Sequence, residues 1–267
     1  MTTLATHIEL NDSLASWLGV ESVALVREDL LPDGGGKKRR ALASFANNLN
    51  GTKHIHLLSY AGSHTAFTLS QLLPDVTIHL YGTNYGGGAY ERTMVETLNK
   101  QQNIDQRVGS SLSMLWHFNR RKMSSDSSHH FMKIGGSRGS DPVTETAVGE
   151  VISEIGNDYQ HIVAVASGDL LKSIRSQTKR VTGVLTQPLG IKLIKSLGLN
   201  RAYGFKKVSL GKRVRAVKEV RELTGNLWDP IFMGTVFNAL KNQTDLPPKL
   251  CIWVTCPSGI SWLKSKN

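Results

Sequence analysis

The sequence is poor in cysteine, in aromatic residues, in acidic residues and in long apolar runs, and each shortage excludes something. Of 267 residues only two are cysteine, Cys251 and Cys256. Their spacing is not C-x-x-C, and two thiols supply neither a disulfide framework nor a four-ligand zinc site. A reducing cytoplasm is the expected compartment. No apolar run approaches the roughly 20 residues that cross a bilayer. The opening "MTTLATHIELND" also lacks the basic and apolar regions of a secretory signal. No membrane partner is therefore expected. Aromatic residues make up 7%, too few for a base-stacking platform, and no basic tail or recognised nucleic-acid motif accompanies them.

What is present is ordinary globular material. The chain is 40% hydrophobic and 20% charged, enough for one large domain or two modest ones. Its charge is less ordinary: 32 Lys+Arg against 21 Asp+Glu give +11. Such a balance favours anionic partners in general without choosing among them. The cations are spread over residues 37–40, 119–122, 172–180, 205–218 and 264–266. Most such runs are solvated helix faces. Only the first, in "DGGGKKRRALASF" (33–45), follows a glycine turn.

The chain alternates short apolar runs, small-residue turns and helical stretches. Strands are predicted at 23–28, 54–60, 76–82, 161–167, 181–185 and in "KLCIWV". Helices are predicted at 40–49, after "GSHTAF", through "AYERTMVETLNKQ" and "TETAVGEVISEI", after 167 and at about 211–223. Near-continuous apolar strands separated by helices indicate an α/β chain with largely parallel sheets. The stretch 105–130 is the least periodic, and its "SSDSSHH" reads as a loop near a domain boundary.

Two phosphate-binding signatures fail. A Walker A loop ending at Gly36-Lys37 would need glycine at Leu31 and a hydroxyl at Lys38. No G-x-G-x-x-G follows a strand. The nine histidines are scattered; His54 and His56 alternate onto one strand face, where a structural or exposed role is expected. Two turns are more suggestive. "YAGSHTAF" (60–67) and "VASGDLL" (165–171) each leave an apolar strand and open a helix. Helix N-termini carry unpaired N–H groups that seat anions, although plain N-capping is the commoner task for Ser63 and Ser167.

Taken together, these segments resemble one enzyme family in chain order. "VREDLLPDGGGKKRRAL" is similar to the "KRED…GGNK.RKL" segment of the 1-aminocyclopropane-1-carboxylate deaminase/D-cysteine desulfhydrase family. "YAGSHTAFTLSQLL" resembles its "GAxSNHxxATAxxxxxLG", and "IGGSRGSDPVTETAVGEVISEI" its "GGSNxLGxxGYxExxxEI". "VAVASGDLLKSI" resembles "xxxGTGGTxAGI", "TGNLWDPIFMGTVFNAL" resembles "xGxxLDPVYTGKAxxGL", and "IWVTCPSGI" answers "IHTGG". The likeness spans about residues 22–260, with the central part unmatched.

The resemblance implies a two-domain α/β chain of the tryptophan synthase β-like fold, with pyridoxal 5'-phosphate as cofactor and a small amino acid as substrate. It implies that Lys37 is the Schiff-base lysine and first catalytic residue, with Lys38, Arg39 and Arg40 as a partly solvent-facing first helical turn. Ser63 is implied as a second catalytic residue, and Ser63, His64 and Thr65 as the substrate-carboxylate loop. His64, Ser167, Gly168 and Thr255 are implied at the cofactor, Ser167-Gly168 at its phosphate and Thr255 near its ring nitrogen. Phe232 is implied to face the substrate. A larger cofactor domain is expected from 1–39 and 126–267, and a smaller inserted domain from 40–125.

Departures from the family pattern fall on the site. Gly36 and His64 each replace an asparagine, Asp169 replaces a phosphate-loop glycine, Phe232 replaces a tyrosine, and Met233 and Thr235 replace polar residues. Three readings stay open: a working lyase or deaminase, a catalytically degenerate scaffold that binds an anion or partner, and, least supported, a nucleic-acid-binding protein. A homodimer stays open too.

Overall fold

Every described strand pairing but one is parallel. The computed structural model describes residues 6–32, 36, 38–84, 89–132, 142–165, 168–186 and 209–255. Its strands are β1 (Ile8–Leu10), β2 (Ser22–Val26), β3 (His54–Tyr60), β4 (Thr77–Thr83), β5 (Ile104–Gly109), β6 (His129–Phe131), β7 (Gln160–Val165), β8 (Val181–Leu185) and β9 (Lys249–Trp253). Its helices are α1 (Asp12–Leu18), α2 (Arg39–Asn47), α3 (His64–Leu72), α4 (Ala89–Asn99), α5 (Ser111–Met123), α6 (Pro142–Ile155), α7 (Asp169–Gln177), α8 (Leu210–Thr224) and α9 (Met233–Lys241).

The elements divide into two units, one from the described residues up to 36 and from 142 onward, the other from 38–132. The smaller unit extends beyond the expected limit of 125, because β6 pairs in parallel with β3. The least periodic stretch, 105–130, thus holds all of α5, most of β5 and the start of β6, and the expected "SSDSSHH" loop runs into β6 at His129.

In the first unit the strand order is β1-β2-β9-β7-β8. Only β1 is antiparallel, paired with β2. Successive residues of β7 and β9 serve opposite faces. Ile162, Ala164, Leu250 and Ile252 pack with Leu14, Val220, Val236 and Phe237 from α1, α8 and α9. Val163, Val165, Cys251 and Trp253 pack with Val148, Val151, Leu171 and Ile174 from α6 and α7. Helices thus cover both faces, which is why these strands read as unbroken apolar runs. Within this core Trp253 Nε1 donates to His161 Nδ1 at 3.1 Å, and burial pushes the His161 pKa down to about 4. Burial also pushes the Cys251 thiol up, so it is an inert core residue.

The second sheet has the order β5-β4-β3-β6. One face carries Ile55, Leu57, Ile78 and Leu80 under Leu42, Phe45, Ala66, Leu69 and Leu98 of α2, α3 and α4. The other carries Leu58, Tyr81 and Phe131 under Met114 and Phe118 of α5. His54, His56, His79 and His129 share that second face, as strand alternation requires. The His56 ring stacks on those of His79 at 4.5 Å and Phe131 at 4.3 Å.

Candidate active site

Parallel strands end together, so the turns that leave them share one sheet edge, where open α/β sheets seat their ligands. In the first unit the C-terminal ends of β2, β9, β7 and β8 line up in this way. The chain leaves β2 through Arg27, which is 5% exposed and paired with Asp29 at 2.9 Å and Glu9 at 2.8 Å. The Arg27 guanidinium also lies over the Trp228 ring. A short 3-10 turn over Glu28–Leu30 follows. The Glu28 carbonyl then accepts the N–H of Gly36 at 2.7 Å, closing the loop. Gly36 has φ 80°, a conformation glycine adopts without strain. This closure fixes the backbone immediately before Lys37, which itself lies outside the described residues.

Of the cations after Lys37, Lys38 is half-buried at the N-cap position of α2, in line with a partly solvent-facing turn, whereas Arg39 and Arg40 are 7% and 4% exposed and engage partners. Arginine stems can be buried when their heads are satisfied, a state the basic run does not advertise in sequence.

β9 leads to Thr255, 3% exposed, whose Oγ1 has no hydrogen-bond partner among the described residues. A buried hydroxyl without a partner costs about 1–3 kcal/mol, so such groups mark places where a ligand belongs. β7 leads to Gly168, at φ 85° on the N-cap of α7; Ser167 lies outside the described residues. Asp169 in the first turn of α7 puts a carboxylate at this helix start. β8 ends at Thr186, whose hydroxyl donates to the Val165 carbonyl at 3.0 Å and ties the β7 and β8 exits together.

Phe232 is the N-cap residue of α9 and is half-buried against the core of the first unit. Sequence reading missed the residue that positions it. Asp229 is 1% exposed and accepts backbone N–H groups from Ile231 at 2.8 Å, Phe232 at 3.1 Å and Met233 at 2.9 Å. The signal was available in "WDPIF", since aspartate before a turn favours such bonds to its own backbone. Met233 and Thr235 are buried, and the Thr235 hydroxyl donates to the Ile231 carbonyl at 2.6 Å.

In the second unit β3 delivers Ser63, His64 and Thr65 to the start of α3. Ser63 occupies the N-cap position, yet its side chain makes no capping hydrogen bond. The plain capping role is thus not the one its hydroxyl performs. Ser63 is 8% and Thr65 3% exposed. Gly62 sets the turn with φ 71°, and a Cβ there would lie 2.5 Å from Met94 Cβ. Its N–H donates to Gln106 Oε1 at 3.1 Å, anchoring the turn to β5. The expected residues therefore form two groups: Gly168 and Thr255 on one sheet edge beyond the Gly36 turn, and Ser63 to Thr65 on the other sheet's edge.

No protein-family model and no curated protein matches this sequence. Solved structures do. A T.th. threonine deaminase is 16% identical, with TM-score 0.66 over 96% of this chain and 92% of its own. Maize serine racemase is 12% identical, with TM-score 0.66 over 95% of this chain and 88% of its own. A hydrogen sulfide-producing enzyme of Fusobacterium nucleatum is 10% identical, with TM-score 0.63 over 96% and 97%. The chain has the α/β architecture that its sequence pattern predicts and the tryptophan synthase β-like fold that the family resemblance implies.

Proposed function

We propose that this protein is a pyridoxal-phosphate-dependent enzyme that acts on a small amino acid, in the manner of a D-cysteine desulfhydrase or a 1-aminocyclopropane-1-carboxylate deaminase. The observation that carries the reading is Thr255: a buried hydroxyl without a partner among the described residues, on the sheet edge that also presents the Gly36 turn. That hydroxyl would suit the cofactor's ring nitrogen as a hydrogen-bond donor. Pyridoxal phosphate, when bound, supplies an aldehyde that takes up primary amines and a ring that disperses negative charge from the α-carbon.

The chain's own residues divide the remaining work. Lys37, the next residue in sequence after Gly36, would be the amine that holds the cofactor and the base that takes the substrate's α-proton. By the family resemblance the N-terminus of α3 would offer backbone N–H groups to the substrate carboxylate, and the Ser63 hydroxyl, which makes no capping bond, would be a further donor. His64 and Thr65 shape the same loop. Ser167 and Gly168 would serve the phosphate, where the Asp169 carboxylate would oppose a dianion and weaken cofactor affinity. Phe232 has no phenol to exchange protons, which favours elimination over ring opening. A cytoplasmic setting goes with a content of only two cysteines.

For D-cysteine, elimination breaks the Cα–H and Cβ–S bonds. The sulfur leaves with a proton as sulfide, and water then converts the remaining fragment to pyruvate and ammonia. The test is product release by the purified chain supplied with pyridoxal phosphate and D-cysteine or 1-aminocyclopropane-1-carboxylate. Stoichiometric sulfide and pyruvate, abolished in Lys37→Ala, supports the reading; no turnover of either substrate, with cofactor bound, contradicts it. Asp169 favours a second reading, a scaffold that has kept the fold and lost catalysis. In that case an anion would bind equally to wild type and Lys37→Ala.

A further inference from the structure

We propose that α5 is a peripheral membrane-contact helix that lays its outer face on an anionic lipid surface. The helix is apolar on two opposite sides. Met114 and Phe118 are buried against Leu58, Tyr81 and Phe131. At about 100° per residue, Leu112, Trp116 and Met123 fall on the side facing away. They are 81%, 54% and 83% exposed, with Leu115 at 39%. Ten large hydrophobic residues are exposed among the described residues; four lie on this helix, and Val108 precedes it on β5. Scattered exposed apolar residues need no explanation, but a cluster on one ridge does.

Charge selects the occupant. α5 has no acidic residue and carries Arg120, Arg121 and Lys122 in its last turn. Arg120 flanks the outer ridge on one side, with its guanidinium 5.2 Å from the Trp116 ring centroid. Lys122 flanks the ridge on the other side, and Arg107 is exposed on the edge strand β5. A second copy would bring the same cations to the contact within a chain of +11, so self-pairing through this face is opposed by repulsion. An anionic bilayer is complementary. Its plane meets an outward ridge without needing a matching groove, while the Arg120 and Lys122 stems reach past the apolar residues to the headgroups. No helix among the described residues is long and apolar enough to cross a membrane, so the contact stays at the surface. The expectation of no membrane partner rested on the lack of a spanning run, and a surface contact needs none.

The test is co-sedimentation of the full chain with vesicles of phosphatidylglycerol and phosphatidylcholine in equal parts, and with phosphatidylcholine alone. Binding is expected only to the anionic vesicles. It should weaken by about tenfold or more in Arg120→Glu/Lys122→Glu and in Leu112→Ser/Trp116→Ser/Met123→Ser. All five positions are exposed, and a thermal melt matching wild type shows that the variants fold. Equal binding by the triple-serine variant would overturn the proposal, because bulk charge would then suffice. So would no binding to either vesicle, or self-association lost in the triple-serine variant, which would assign the ridge to an interface between copies.

Discussion

Asp229 gathers three consecutive backbone N–H groups onto one buried carboxylate at the entry to α9. Asp229→Ala leaves those donors without their acceptor and should lower stability by about 2 kcal/mol, read as a shifted urea midpoint with unchanged slope. Gly62→Ala should cost at least about 2 kcal/mol by the same measurement, since the position combines φ 71° with a Cβ 2.5 Å from Met94 Cβ. Thr255→Val separates ligand binding from packing. The isosteric change removes a buried hydroxyl that has no partner among the described residues, so the apo protein should melt no lower than wild type. Its affinity for pyridoxal phosphate should nevertheless fall by about fivefold to tenfold. Equal affinities in the two proteins would remove Thr255 from the site.

The histidine face of the second sheet makes a prediction about that packed element. His56 Nε2 lies 2.8 Å from His129 Nδ1, and His56 Nδ1 lies 3.2 Å from the Tyr81 hydroxyl. His79 lies 3.2 Å from His54 and 3.0 Å from Asp105. Arg107 on β5, Arg121 on α5 and Asp126 before β6 complete the charged surroundings. Burial first, and then the neighbouring histidines and Arg121, push the His56 pKa from 6.5 down to about 3; His54 and His129 are lowered too. Unfolding therefore takes up protons below pH 6.5. The stability these residues confer is complete above 6.5 and falls as the pH drops toward 3. Melting temperature should decline over that window, and His56→Phe should flatten the decline. An unchanged slope would mean that the face does not govern acid stability.

The same face explains what sequence could and could not reveal about the elements. Buried parallel strands were legible because both of their faces are apolar. β6 was not, because "HHF" gains its meaning only from partners on β3 and β4. α5 was not, because apolar residues on opposite sides blur the single stripe by which a surface helix is recognised. At the site, strand-turn-helix punctuation singled out the turns of Ser63 and Gly168, whereas Thr255 entered only through the family resemblance. Charge statistics concealed Arg39 and Arg40, since burial of arginine depends on partners distant in sequence.

At the scale of the whole molecule, two parallel sheets each deliver candidate ligand groups to the edge where their strands end. The chain combines this arrangement with a +11 charge. The fold is shared with enzymes at 10–16% identity, a range in which architecture persists while site residues are free to change. Asp169, His64 and Phe232 depart from the family pattern that the sequence resembles, and cofactor chemistry at Lys37 is the claim on which the functional account depends. The most direct measurement is an absorbance spectrum of the purified chain with pyridoxal phosphate, followed by borohydride reduction and peptide mapping. The account predicts a red-shifted band, absent in Lys37→Ala, and a reduced adduct on Lys37. Free-aldehyde absorbance alone, identical in both proteins and leaving no adduct, would contradict it.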